Sequence, residues 1–352
     1  MRSLTTDRPP PSTPLRTAPR RLVVTVALVG LLVVSMLVAV TIGPSGLSLG
    51  EVLASLGSHL GLPVSPPPRL HDAIVWDLRL PRVLTAAAVG AGLAVAGAVM
   101  QSLTRNALAD PYLLGLSQGA SLGAVAVLVV GVSVALPGAA FLGALAALIA
   151  TLTVARSGGT ITPGRTVLAG VAVSQLAAAA MSFVVFWSAT GDSYREILAW
   201  LLGSVAGARW SSVAVAVGAL VVVGALVAAW AGRLDAFAFG DTAAAALGVA
   251  VNQTRWVLLG AVALLVGALV SVSGAIGFVG LLVPHAVRAL TGPGHRRLLP
   301  VAALAGATLL VWADTAARTL LAPRELPVGI VTAFLGVPVF VVLLRRRGAS
   351  WT

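Results

Sequence analysis

Apolar residues run along this chain in long unbroken stretches, without the alternation of a strand or the one-sided rhythm of a helix that faces water. A helix needs about 20 apolar residues to cross the hydrocarbon core of a bilayer. Ten stretches meet or approach that length: 22–42, 83–104, 112–131, 134–155, 166–190, 211–231, 254–272, 274–290, 298–316 and 327–344. A membrane β-barrel would show alternating segments of about ten residues, and these Ala/Val/Leu runs do not alternate. The expected fold is therefore all-α, a polytopic bundle of about ten transmembrane helices.

Composition agrees. Of 352 residues, 58% are hydrophobic and 10% charged, with a mean hydropathy of +1.01. A soluble domain carries about 25% charged residues, so the solvent of this chain is largely lipid. Cysteine is absent, and all 23 basic residues are arginine. Disulfides and thiolate metal sites are excluded. A P-loop is excluded too, because its lysine has no counterpart here; if ATP drives this protein, another subunit binds it. The net charge of +12 does not point to nucleic acid, since the arginines lie between apolar spans and not on one basic face.

Arginine bias in short loops sets orientation. With the N-terminus in the cytoplasm, sixteen arginines fall inside, among them Arg105, Arg156, Arg165, Arg233 and Arg255; seven fall outside: Arg69, Arg79, Arg82, Arg195, Arg209, Arg318 and Arg324. Ten spans then put both termini inside a cell (inner or plasma) membrane. Residues 1–21, rich in Pro, Ser, Thr and Arg, read as a disordered cytoplasmic tail. A cleaved signal is the competing reading, but no clear A-x-A site follows. Residues 22–345 form one permease-like domain, and 346–352 a short cytoplasmic tail.

Five segments carry chemistry. Arg79-Leu80-Pro81-Arg82 precedes the second span, where a proline at a helix start costs little. Its arginines are either interfacial residues, one paired to Asp77, or a docking point for an acidic partner. Gly90, Ala94, Gly97 and Ala98 allow close helix approach. After them come Gln101, the Arg105–Pro111 break, in which Asp110 can cap the next helix, and Ser117 and Gln118. The stretch 234–249 predicts a short helix outside the membrane, with Asp241 as N-cap, alanines as helix formers and Gly248 as a left-handed stop. Its Phe237, Phe239, Leu247 and Val249 need an apolar partner, either the lipid interface or a groove in a cytoplasmic protein. Gly274, Gly277 and Gly280 mark a packing face before Pro284 and His285, the latter read as structural. Asp314 and Arg318 have the favourable i,i+4 order for a helix ion pair, and Glu325 precedes the last span at Pro327.

Together and in this order, these segments resemble the FecCD/BtuC-type permeases of ABC importers for iron–siderophores, haem and cobalamin. The resemblance covers roughly residues 20–345. It rests on Arg-Leu-Pro-Arg at 79–82, Arg-Asn-x-Leu-Ala-Asp-Pro at 105–111, Gly-x-Ile-Gly-Phe-Val-Gly-Leu-x-x-Pro-His at 274–285 and Glu-Leu-Pro-Val-Gly-x-x-Thr-Ala at 325–333. Ala107 stands where the family usually has proline. The resemblance implies an ABC type II importer permease without bound cofactor. It implies a second permease copy or paralogue, two ATPase subunits supplying ATP and Mg chemistry inside, and a substrate-binding protein outside. It makes 241–248 the ATPase-coupling helix, with Asp241, Thr242, Ala246, Leu247 and Gly248. Arg79, Arg82 and Arg318 become binding-protein contacts. Gln101, Ser117, Gln118, Ser174 and Gln175 are candidates for a mildly polar path, and an iron–siderophore is the expected cargo, moved by alternating access.

A proton- or sodium-coupled secondary transporter is the alternative. It would place ionisable groups near the bilayer midplane, whereas Asp110 and Asp314 sit near span ends. No nucleophile–base pair or metal cluster assembles from four histidines split between the two sides, so neither catalytic nor metal-binding residues are expected.

Overall fold

The computed structural model describes residues 18–132, 136–156, 162–188 and 191–348. The reading of 1–21 as a disordered tail falls mostly outside these residues, as does the end of the C-terminal tail.

Every described regular element is helical. In chain order they are α1 (Ala18–Thr41), α2 (Leu49–His59), α3 (Arg69–Ala73), a π-helical segment Ile74–Arg79, α4 (Leu80–Thr104), a 3-10 turn Pro111–Leu114, α5 (Leu116–Val130), α6 (Leu136–Ala155), α7 (Pro163–Ser188) and α8 (Gly191–Leu201). Then follow α9 (Trp210–Ala229), α10 (Ala231–Phe237), α11 (Asp241–Ala246), α12 (Val251–Ser273), α13 (Val279–Thr291), α14 (His295–Thr319) and α15 (Val328–Gly348). Each of the ten expected stretches falls on a helix. Seven are long and apolar enough to cross a membrane; Leu116–Val130, Val279–Thr291 and Val328–Val342 are shorter apolar stretches. α15 runs on to Gly348, past the boundary at 345 expected from hydropathy.

α4 is the axis of the bundle. In its most apolar window 89% of residues are buried, against 17% in α1. It packs against α14, α9, α13 and α12. Glycine makes this possible: a Cβ on Gly90 would lie 2.2 Å from the Gly306 carbonyl oxygen, and one on Gly97 would lie 1.8 Å from that of Gly280. The packing face expected around Gly274, Gly277 and Gly280 is real at its two ends. Gly274 abuts the Trp200 carbonyl and Gly280 abuts Pro111, while Gly277 faces open space.

Two regions are more ordered than loop assignments suggest. The connection 43–82 contains α2, held by a capping box in which the Ser48 hydroxyl accepts from the Glu51 amide and Glu51 accepts from the Ser48 amide. The Ser48 amide, the Ser48 hydroxyl and then His71 hold the Glu51 carboxyl down to about 2. The second span also begins earlier than Pro81, since helical structure is continuous from Arg69 to Thr104. Proline lacks the N–H that an α-helix needs. The chain absorbs that defect in a π turn just upstream, where the Leu80 amide bonds the Val75 carbonyl.

Between α12 and α13 the chain leaves helical geometry at 274–278, and Phe278 takes a left-handed φ of 69°. Buried non-helical backbone must find partners. Tyr112 supplies them: its hydroxyl donates to the Ile276 carbonyl and accepts from the Ile276 amide, both at 3.1 Å. Tyr112 is itself placed by Asp110, whose side chain caps the 3-10 turn through the Tyr112 amide at 2.8 Å. Removing the hydroxyl in Tyr112→Phe orphans two backbone groups beside the buried Ile276. The expected loss is roughly 1–3 kcal/mol, measurable as a lower unfolding temperature of the purified protein in detergent.

Candidate functional site

The described residues present two charged constellations at opposite ends of the bundle. The first gathers Arg79, Arg82, Asp314, Arg318 and Glu325. Arg82 grips Asp314 through Nε and Nη2, at 2.9 and 2.8 Å, and spends Nη1 on Glu325 Oε2 at 2.8 Å. Asp314 is 2% exposed. Its local pair with Arg318 is the long one, 3.9 Å, because the Arg82 fork already occupies the carboxylate.

Arg318 and Arg79 turn to the end of α1. Arg318 donates to the Ile42 carbonyl at 2.9 Å and to that of Ala39, while Arg79 donates to Val40 at 2.7 Å and Thr41 at 3.0 Å. A helix C-terminus leaves unpaired carbonyls and a partial negative charge, and two arginines neutralise both. The three residues expected at the rim for docking are therefore buried, at 7–8% exposure. Arg79 is held by α1 and Ser45, and Asp77, one partner considered for these arginines, makes no ion pair with either among the described residues. The outward-facing carboxylate of the cluster is Glu325, whose side chain is 46% exposed.

The second constellation surrounds α10 and α11. Helix α11 forms where the alanines predict it, and Gly248, at φ 81°, stops it. The Gly248 amide bonds Ala245 and the Val249 amide bonds Ala244, closing the end as a Schellman motif does. The cap differs from expectation: Gly240, at φ 91°, is the N-cap, and Asp241 is the first helical residue. Asp241 is drawn away from capping by Arg255, whose Nη2 reaches its two oxygens at 2.9 and 3.1 Å. Arg255 is 3% exposed and lies over the ring of fully buried Phe237, 5.3 Å from its centroid. Of the four apolar residues expected to seek a partner, Phe237 finds the core; Phe239 and Leu247 stay 75% and 68% exposed. Thr242 and Ala246 are also exposed, and Ala244 is the inward anchor.

This segment is tied to the bundle by His295. Asp235, on α10, accepts from the His295 backbone amide at 2.8 Å and from its Nδ1 at 2.6 Å. A carboxylate only accepts here, so Nδ1 carries the proton. Nε2 lies 2.6 Å from Ser102 Oγ near the end of α4. The one sequence signal for this tie is the position of His295 at a helix start, where a carboxylate is favoured.

Among the path candidates, Gln101 lies inside the bundle. It is 3% exposed, and both ends of its amide are used. Nε2 donates to the Leu281 carbonyl at 3.0 Å, and Oε1 accepts from Arg288 at 2.8 Å. It clamps α13 to α4. Ser117, Gln118 and Ser174 are half-buried and Gln175 is exposed.

Residues 31–346 match the model of the FecCD transport family. The chain is 39% identical to the cobalamin import system permease protein BtuC of Halobacterium salinarum, over 95% of this chain and 99% of that one. It is 44% identical to the hemin transport system permease protein HmuU of Yersinia pestis, over 79% of this chain and 85% of that one. A solved structure described as an inward-facing conformation of a provisionally assigned metal-chelate type ABC transporter superposes with a TM-score of 0.82. It is 30% identical and covers 92% of this chain and 99% of that one.

Proposed function

Because this chain belongs to the FecCD transport family and is a multi-pass permease of an ABC importer, we propose that it moves an iron–siderophore inward by alternating access. The cargo class it shares with its relatives is a metal chelate, haem or cobalamin. Among these, cobalamin is the second reading, favoured by the relative that aligns over 99% of its own length. Uptake of a radio-iron-labelled ferric siderophore and of labelled cobalamin, each by cells expressing the complete importer, separates the two. ATP hydrolysis belongs to a separate subunit, and this chain breaks no bond in the cargo.

The observation that carries the ATP-driven reading is the platform at α10–α11. A short helix is pinned from beneath by Arg255 and offers Phe239 and Leu247 outward. Two such platforms, one per permease, would each seat in an ATPase subunit on the cytoplasmic side. The excess of arginine in that set of loops supports placing both termini there. At the other end, three arginines against two carboxylates leave the Arg82 cluster with one net positive charge. That supports Arg79, Arg82 and Arg318 as the basic centre facing acidic residues of a substrate-binding protein. Ser117, Gln118, Ser174 and Gln175 remain the polar side chains proposed to meet the cargo.

Leu247→Arg tests the platform. The variant should keep its membrane level and lose co-purification with the co-expressed ATPase. If wild-type protein recovers no ATPase, the coupling assignment falls and proton-driven uptake becomes the competing account.

A further inference from the structure

Arg82 has two carboxylate partners in unequal surroundings. Asp314 takes the Nε–Nη2 edge of the guanidinium and is 2% exposed. Glu325 takes only Nη1, and its side chain is 46% exposed. Separating a buried pair leaves an uncompensated charge in a medium that cannot solvate it. Water can take over the Glu325 side of its contact, although the Arg82 side chain is only 10% exposed, so this pair separates more easily than the buried one. The Nη1–Glu325 contact is therefore the exchangeable one.

The surroundings of Glu325 fit exchange. Residues 319–325 are all exposed, and directly after them the chain is fixed by the Leu326 amide on the Ala317 carbonyl. Beyond Pro327, α15 starts against the 202–203 turn, where the Gly329 amide bonds the Gly203 carbonyl at 3.3 Å and a Cβ on Gly329 would lie 2.0 Å from the Leu202 carbonyl oxygen. Glu325 is thus an acidic side chain on an exposed turn segment, bonded to the positive cluster and anchored next to the start of the last helix.

We propose that Glu325 is an internal competitor for Arg82, displaced when a carboxylate of the substrate-binding protein takes over Nη1. The inference rests on the docking reading above and adds a sign to it. An acid on the permease itself weakens docking, both by occupying the donor and by repelling the incoming carboxylate. It also links docking to the 319–327 segment, because the displaced side chain no longer ties that segment to α4.

The test is the affinity of the purified cognate substrate-binding protein for the assembled importer in nanodiscs, wild type against Glu325→Gln. The Arg82–Asp314 pair is intact in the variant, so the bundle keeps its main bond, and an unfolding temperature no more than about 3 °C below wild type verifies that. The expected result is binding about fivefold tighter at low salt, the fold-change equivalent to losing one half-exposed pair. The gain should shrink as salt screens the cluster. Binding that is unchanged or weaker in Glu325→Gln, with wild type binding normally, overturns the competitor role and leaves the docking reading standing. A wild-type importer that shows no binding overturns both.

Discussion

Arg82→Leu should unfold at a much lower temperature than wild type, with a loss of about 3–5 kcal/mol, the scale for removing one partner of a buried pair. The reason is Asp314, which is 2% exposed and has Arg82 on both oxygens. Arg318, at 3.9 Å and already committed to the carbonyls of α1, is a poor substitute. Leucine at 82 leaves a carboxylate among helices with no solvent to receive it. The double variant Arg82→Leu/Asp314→Leu removes both charges and should regain most of the loss, since apolar residues of similar size often replace buried pairs at little cost. Detergent-phase thermal unfolding of the two variants checks both statements. A double variant no better than the single one would mean that the pair matters through Glu325 and the loop instead.

Gly97→Leu should abolish accumulation of folded protein. The first added carbon would stand 1.8 Å from the Gly280 carbonyl oxygen and 2.8 Å from its Cα. Both are backbone atoms, so no side chain can rotate away; α4 and α13 must part by more than an ångström. Overpacking commonly costs about 1–3 kcal/mol and more where backbone must move. Here the displacement spreads, because Gln101, one turn on, bonds the Leu281 carbonyl on the same partner helix. Gly260→Ala is the matched control. It lies inside α12 with nothing within 4 Å of the new carbon, and alanine is the better helix former by about 1 kcal/mol. The control should therefore be as stable as wild type or more so, by the same unfolding assay and by yield after size-exclusion chromatography.

The spans were legible because bilayer thickness leaves its mark on local composition, and hydropathy needs no knowledge of partners. The small residues at Gly90 and Gly97 were legible as a packing face, although Gly306 and Gly280 could not be read as the helices they meet. The charged sites were harder. Asp314 and Arg318 stand in good local order, so a local pair was the natural reading. The winning partner, Arg82, is 232 residues away in sequence, and no spacing rule reaches that far. Asp241 shows the same competition at short range, a strong N-cap residue taken over by a buried arginine that needed an anion. Tyr112 left no signal at all, since a phenol beside a capping aspartate looks like ordinary turn filling until the broken segment at Ile276 is seen against it. What sequence reports well is each helix's relation to its solvent; helix-to-helix relations enter only as permissions.

Two short helices, α5 after the Tyr112 turn and α13 after the broken segment, have a consequence for how the chain is made. α5, with 15 residues, and α13, with 13, are about 22 and 20 Å long at 1.5 Å per residue, well under the roughly 30 Å of a hydrocarbon core. Neither can rest in lipid as an independent spanning unit during biogenesis, because its ends would strand polar backbone in oil. Their companions must already be in place: α4 beside α13, and α6 and α7 around α5. Membrane insertion of this protein is therefore completed by assembly, and damage to the α4 seam should appear first as a chain that is synthesised, threaded and then degraded before it matures.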